Sequence, residues 1–265
     1  ADDKAGIAEI MTMLERIQKE EIPHGKISVA FTPDEEAGSG VNHFNVKDFD
    51  AEFAYTMDGG PEGEIQYENF NACEAIVEIK GFNVHPGSSK DTMINAALVA
   101  MEFNAMLPSC ETPRGTEGGF YHLCEMSGDV ANAKLEYIIR DHDPHFFEAR
   151  KNTMHLIAKQ LNAKWGEGTV TLTIHDQYRN MSEVIQGCMH LIDNAVEAAR
   201  LADIVPDVAP IRGGTDGCRL SYMGLPCPNL GTGGYGYHGP YEHITAEGMD
   251  LATDMIVKLI QKYAE

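Results

Sequence analysis

The chain has 265 residues, with 41 Asp and Glu against 20 Lys and Arg, and a formal net charge of −21. A surface this acidic excludes nucleic acid as the main partner, because phosphate binding needs basic groups, and it disfavours docking on anionic lipid. At 43% hydrophobic and 23% charged residues the composition is that of a globular protein, and no apolar run approaches the roughly 20 residues of a membrane-spanning helix. Six cysteines with no CxxC pair read as reduced thiols, which places the protein in the cytoplasm.

Ala1-Asp2-Asp3 leads directly into a helical pattern. Ile7, Ile10, Met11, Leu14 and Ile17 recur at the spacing of a half-buried helix, and Asp2 and Asp3 stand where carboxylates suit exposed backbone N–H groups. A chain that opens on a helix, with no Met and no leading strand, reads as cut from a longer one. Ile27, Val29 and Phe31 alternate as a strand ending at Pro33-Asp34-Glu35-Glu36, and Phe53 to Met57 form a second strand closed by Asp58-Gly59-Gly60. Strand ends of this kind are where α/β sheets present ligand-binding groups.

From about Asn71 the rhythm changes. Ala75, Val77 and Ile79 predict a strand, Asp91–Met106 a helix, Gly119–Met126 and Lys134–Arg140 two strands, Pro144–Leu161 a helix and Thr169–Ile174 a strand. That order, β-α-β-β-α-β, is ferredoxin-like. The methionines of the first of these helices read as core filler. A helix near Met189–Leu201, a strand near Val208–Ile211 and a last helix from Ala246 then return to the earlier character. The expected architecture is an α/β catalytic domain in two pieces, 1–69 and 179–265, with a ferredoxin-like domain inserted at 70–178.

Asp2 begins a helix, Glu35-Glu36 and Asp58 end strands, and His238 lies in Gly236-Tyr237-His238-Gly239-Pro240. Carboxylates plus one imidazole make a plausible divalent-metal set, with zinc, cobalt and manganese all acceptable. Of two adjacent glutamates, one can coordinate metal while its neighbour handles a proton. Blander readings stand beside these: Asp2 as a helix cap, His85 as a turn residue before Pro-Gly, Arg140 as a surface ion-pair partner of Asp141 or Asp143, and Asp216 as a brace within its own turn. His122, His142, His145 and His175 read as surface or packing residues. Cys218 and Cys227 lack the His spacing of a nucleophile.

Six segments together resemble the bacterial tripeptide aminopeptidases of the two-zinc aminoacylase/carboxypeptidase superfamily. They are Ala1-Asp2-Asp3-Lys4-Ala5-Gly6, Pro33-Asp34-Glu35-Glu36, Met57-Asp58-Gly59-Gly60, Asn83-Val84-His85-Pro86-Gly87, Ile211-Arg212-Gly213-Gly214-Thr215-Asp216-Gly217 and Tyr237-His238-Gly239. The resemblance implies two divalent metal ions, zinc foremost, bridged by Asp2. Glu36 and His238 would complete one metal and Asp58 would serve the other. Glu35 would be the general base on the bridging water and then the acid for the leaving amine. The inserted domain would be a lid through which the protein forms a homodimer, with His85 stabilising the oxyanion. Arg212 and Arg140 would hold the terminal carboxylate of a tripeptide.

The same resemblance calls for a His-x-Asp motif on an upstream strand. Asp141-His142-Asp143 and His175-Asp176 are the nearest matches, and neither has the spacing. One metal would then lack its His and the sheet its first strands, leaving apolar surface bare. On this reading the polypeptide alone is expected to be inactive or nearly so, while the complete protein is an aminopeptidase. Alternatives are another exopeptidase, a dipeptidase or an amide deacylase of the superfamily, or a non-catalytic dimerising remnant. Against the remnant, Asp2, Glu35, Glu36, Asp58 and His238 are all still metal-competent.

Overall fold

The computed structural model describes residues Ala1–Ala264. They form two compact units, one made of Ala1–Asn69 with the chain from Asn180 onward, the other of Phe70–Arg179.

The first unit opens with α1 (Lys4–Lys19), α2 (Val46–Phe49), β1 (Thr56–Gly59) and β2 (Glu64–Gln66). The cap of α1 is Asp3, not Asp2: its Oδ1 accepts the Gly6 N–H at 3.1 Å. Asp2 is thereby free of the capping role. Gly6 lets the helix press against β1, since a Cβ there would lie 2.3 Å from the Met57 carbonyl oxygen. The helix buries Met13 and Ile17 in a core shared with Met57, Leu191, Leu230 and Met255.

Residues 27–31 are not a strand. The alternation is real, but a strand exists only when a neighbour takes its N–H and C=O groups, and no backbone group of residues 26–32 bonds to the backbone of any described residue.

The second unit carries β3 (Asn71–Lys80), α3 (Ala96–Ala105), β4 (Phe120–Gly128), β5 (Asn132–Asp141), α4 (Pro144–Trp165) and β6 (Val170–Tyr178), with a 3-10 turn at Pro86–Ser88. The sheet order is β4-β5-β3-β6, antiparallel throughout, which is the ferredoxin-like order. Ala75, Val77 and Ile79 point into a core with Val99 and Phe103 of α3 and Met154, Ile157 and Leu161 of α4. The α3 helix starts at Ala96, because Asn95 caps it by accepting the Leu98 N–H. The methionine reading is corrected here: Met101 is 59% exposed while Val99, Ala100 and Phe103 are buried. The period places Met101 with the exposed Leu98, on the outward side of the helix.

Back in the first unit come α5 (Ser182–Ile185), α6 (His190–Leu201), β7 (Asp207–Val208), α7 (Asp216–Tyr222), β8 (Asn229–Gly231), β9 (Gly234–Tyr235), β10 (His243–Ile244) and α8 (Ala246–Lys262). The strand expected over 208–211 shrinks to β7, and Ile211 makes one isolated bridge with Asn69. The main sheet runs β1-β8-β2-β7, with β1 parallel to β8 and β8 antiparallel to β2. No helix of the described residues is long and apolar enough to cross a membrane.

Glu9 sits in this core at 1% exposure, and neither carboxylate oxygen has a hydrogen-bond partner. Burial, and then the charge of Asp3, push its pKa up to about 8. The unfolded chain releases this proton near 4.5 and the folded chain only near 8, so folding stability falls as pH rises between those values. Glu9→Gln should therefore match the parent near pH 4.5 and exceed it by up to about 5 kcal/mol well above pH 8. Thermal melts of both proteins across that range check it; a gap that stays constant with pH would contradict the account.

Candidate metal centre

The carboxyl end of β1 delivers Asp58. Its backbone is fixed by a buried polar set: Asn229 Oδ1 accepts the Asp58 N–H at 3.2 Å and the Thr56 hydroxyl at 2.8 Å, while Asn229 Nδ2 donates to Gln66 Oε1. Asp2 arrives from the turn before α1. His238 arrives from the loop between β9 and β10, in a left-handed backbone conformation at φ +58, which costs energy for a residue with a Cβ and is sustained by surrounding contacts. One such contact is Glu242, whose Oε1 accepts the Asp2 N–H at 3.1 Å and whose Oε2 accepts the His238 N–H at 3.3 Å. Glu242 thus ties together two segments 236 residues apart in sequence.

Two groups of ligand atoms result. His238 Nε2 lies 3.0 Å from Asp2 Oδ2 and 3.2 Å from Glu36 Oε2, and these three residues offer atoms within 4.8 Å of one another. Asp2, Asp3 and Asp58 form a second such group. Asp2 belongs to both. These hard oxygen donors with one imidazole fit divalent cations, and the crowding supports the fit: Asp3, Glu35, Glu36 and Asp58 are each pushed above the ordinary carboxylate range, first by burial and then by one another's charge or that of nearby acids. A bound cation would supply positive charge and reverse these shifts.

Glu35 stands beside the donors. Burial, then the charges of Asp216, Glu36 and Asp2, raise its carboxyl to about 7. Asp216, the first residue of α7, is buried and accepts the Thr32 hydroxyl at 2.7 Å, so it ties α7 to the segment that leads into the acidic loop and does not serve as a brace within its own turn. Cys218 and Cys227 are buried thiols pushed up by desolvation, which suits packing and not nucleophilic attack.

The structure therefore brings Asp2, Glu36, Asp58 and His238 together, with Glu35 adjacent. Arg212 lies in the same unit, exposed, at the bend between Ile211 and α7. His85 and Arg140 belong to the second unit. His85 is the cap of the 3-10 turn, its Nδ1 accepting the Gly87 N–H at 3.1 Å. Arg140 donates to the carbonyls of Cys73 and Ile139 and to Gln177 Oε1, and its guanidinium covers the Tyr178 ring. The ion pair imagined for Asp141 goes instead to Arg150, at 2.9 Å. Sequence reasoning missed Asp3 and Glu242. The doubled Asp-Asp was a visible signal for the first. Nothing local marked Glu242, whose role depends on a contact across nearly the whole chain.

The profile of Peptidase family M20/M25/M40 matches residues 1–262, and the chain belongs to that family. At the level of individual proteins, it is 54% identical over its whole length to the peptidase T of Bacillus licheniformis and 53% identical to that of Clostridium novyi. It spans 65% and 66% of those relatives' own lengths. Among solved structures, a tripeptidase from Staphylococcus aureus superposes with a TM-score of 0.89 at 24% identity, covering 99% of this chain and 71% of that one. The aminopeptidase PepT of Bacillus cereus gives 0.85 at 22%, covering 100% and 71%. These two likenesses establish the fold.

Proposed function

We propose that this chain supplies the metal centre of a zinc-dependent aminopeptidase that removes the N-terminal residue from tripeptides. The observation that carries the reading is the position of Asp2, whose carboxylate belongs to both donor groups. Asp2 would bridge two metals, Glu36 and His238 completing one and Asp58 serving the other. Bound there, the metals supply acidification of water and polarisation of the scissile carbonyl.

The remaining work falls to the protein. Glu35, half-buried and poised near neutral pH, takes a proton from the attacking water and returns it to the leaving amine. Glu242 keeps Asp2 and His238 in register. Arg212 and Arg140 would grip the terminal carboxylate of the peptide, a guanidinium fork being able to bind it bidentately. His85 would donate to the oxyanion, in a homodimer formed through the second unit. The names of the relatives support the substrate class: peptidase T in the sequences, tripeptidase in the structure from S. aureus.

The test is a chimera joining this chain to the unmatched third of the B. licheniformis peptidase T, assayed on di-, tri- and tetrapeptides and on N-acetylated tripeptides. Tripeptides with a free amino end should be cleaved best, and a chelator should stop the reaction. Preference for N-blocked substrates would move the chain to the amide deacylases.

A further inference from the structure

Tyr237, the residue before His238, is half-buried, and its hydroxyl donates to the Gly59 carbonyl at 2.9 Å. Gly59 is the last residue of β1 and directly follows Asp58. One side chain therefore runs from the loop that delivers His238 to the strand end that delivers Asp58, between segments 178 residues apart in sequence. The surroundings are shaped to hold it there. Thr232, which is buried, lies 3.1 Å from the tyrosine hydroxyl and within 3.1 Å of the same Gly59 carbonyl. Gly234 leaves the space that the hydroxyl fills, since a Cβ there would lie 2.2 Å from Tyr237 Oη. Burial raises the pKa of Tyr237, the Thr232 hydroxyl lowers it, and the charges of Asp2, Asp3 and Asp58 raise it again. The hydroxyl thus stands within electrostatic reach of the whole second donor group.

Glu242 joins Asp2 to His238, both in the first donor group. Tyr237 makes the other connection, from His238 to Asp58, and so from one group to the other. We propose that Tyr237 is a positioning residue that sets the spacing between the two donor groups by fixing the His238 loop to the end of β1 through its hydroxyl. The inference rests on the two-metal reading given above. A first ion can be met by either group adjusting around the shared Asp2. A second must find its ligands at a distance the first has already fixed. If the His238 loop were loose, part of the second ion's binding free energy would go into bringing it to that distance; a tethered loop is already there. The tether therefore favours the doubly loaded centre over the singly loaded one.

The experiment is calorimetric zinc titration of the 265-residue chain, with thermal melts of the metal-free proteins alongside. The parent should take up two ions. Tyr237→Phe removes only the hydroxyl, and should hold the first step within about twofold while weakening the second by about tenfold, the worth of one hydrogen bond. Gly234→Ala displaces the same hydroxyl without altering it and should give the same pattern. Thr232→Val takes a donor from the Gly59 carbonyl but leaves the tether, so the ratio of the two steps should stay within about threefold of the parent. An unchanged ratio in Tyr237→Phe would overturn the inference. So would equal weakening of both steps with a lowered melting temperature, which marks a merely structural residue, or a Thr232→Val variant that matched Tyr237→Phe. A parent that takes up fewer than two ions would overturn the two-metal reading itself and this inference with it, and that result is read before any variant is made.

Discussion

Glu35→Gln is expected to lower tripeptide turnover in the chimera by about 10³-fold while metal uptake by the chain stays as it was. The amide keeps the size and hydrogen-bonding reach of the carboxyl but can neither accept nor return a proton. Glu35 lies outside both donor groups, so the metals should be held as before. Isothermal titration with zinc on the unmodified chain and on the variant, paired with turnover in the chimera, separates the two roles. Retained turnover would remove Glu35 from proton transfer; lost metal would make it a ligand.

Asp2→Ala should be the most damaging change to metal binding, because one carboxylate serves two donor groups. Glu36→Ala and Asp58→Ala should each weaken one binding step and spare the other. Asp2→Ala should weaken both by about 100-fold or more. The pattern across the three variants carries the argument. Zinc titration with stoichiometry measured on each variant reads it, and an Asp2 variant that loses one step only would show that the carboxylate does not bridge.

The strand-end acids were legible in the sequence because their chemistry is local: a strand that stops at Asp-Gly-Gly or Glu-Glu advertises its end, and Asp58 does close β1. The second unit was legible for a related reason. Its period-2 and period-3.6 patterns are each satisfied within one sheet and two helices, so Ala75, Val77 and Ile79 point where alternation sends them. Residues 27–31 misled because alternation specifies a strand's faces and not its neighbours. The α3 methionines misled because a run rich in apolar residues on all sides does not declare which side is inward, and Val99 and Phe103 occupy it. Glu242 was invisible for want of any local reason to be acidic. Its partners are the backbone of Asp2 and of His238, and only the folded chain makes them neighbours.

The way the second unit begins and ends has a kinetic consequence. Its first and last strands pair with each other, Ala72 opposite Tyr178, so once folded it delivers its two exits side by side. In the first unit, Asn69 and Asn180 then meet: the Asn69 N–H donates to the Asn180 side chain at 3.2 Å, and Asn69 Oδ1 accepts the Met181 N–H at 2.7 Å. Closing a disordered loop over residues 70–179 would cost about 4 kcal/mol in chain entropy, and a prefolded insert removes most of that barrier. An insert that folded first would act as an intramolecular clamp on the search by which α6, α8 and the His238 loop find α1. A mutation that loosened the β3–β6 pairing, far along the chain from any ligand, would then surface as slow acquisition of metal.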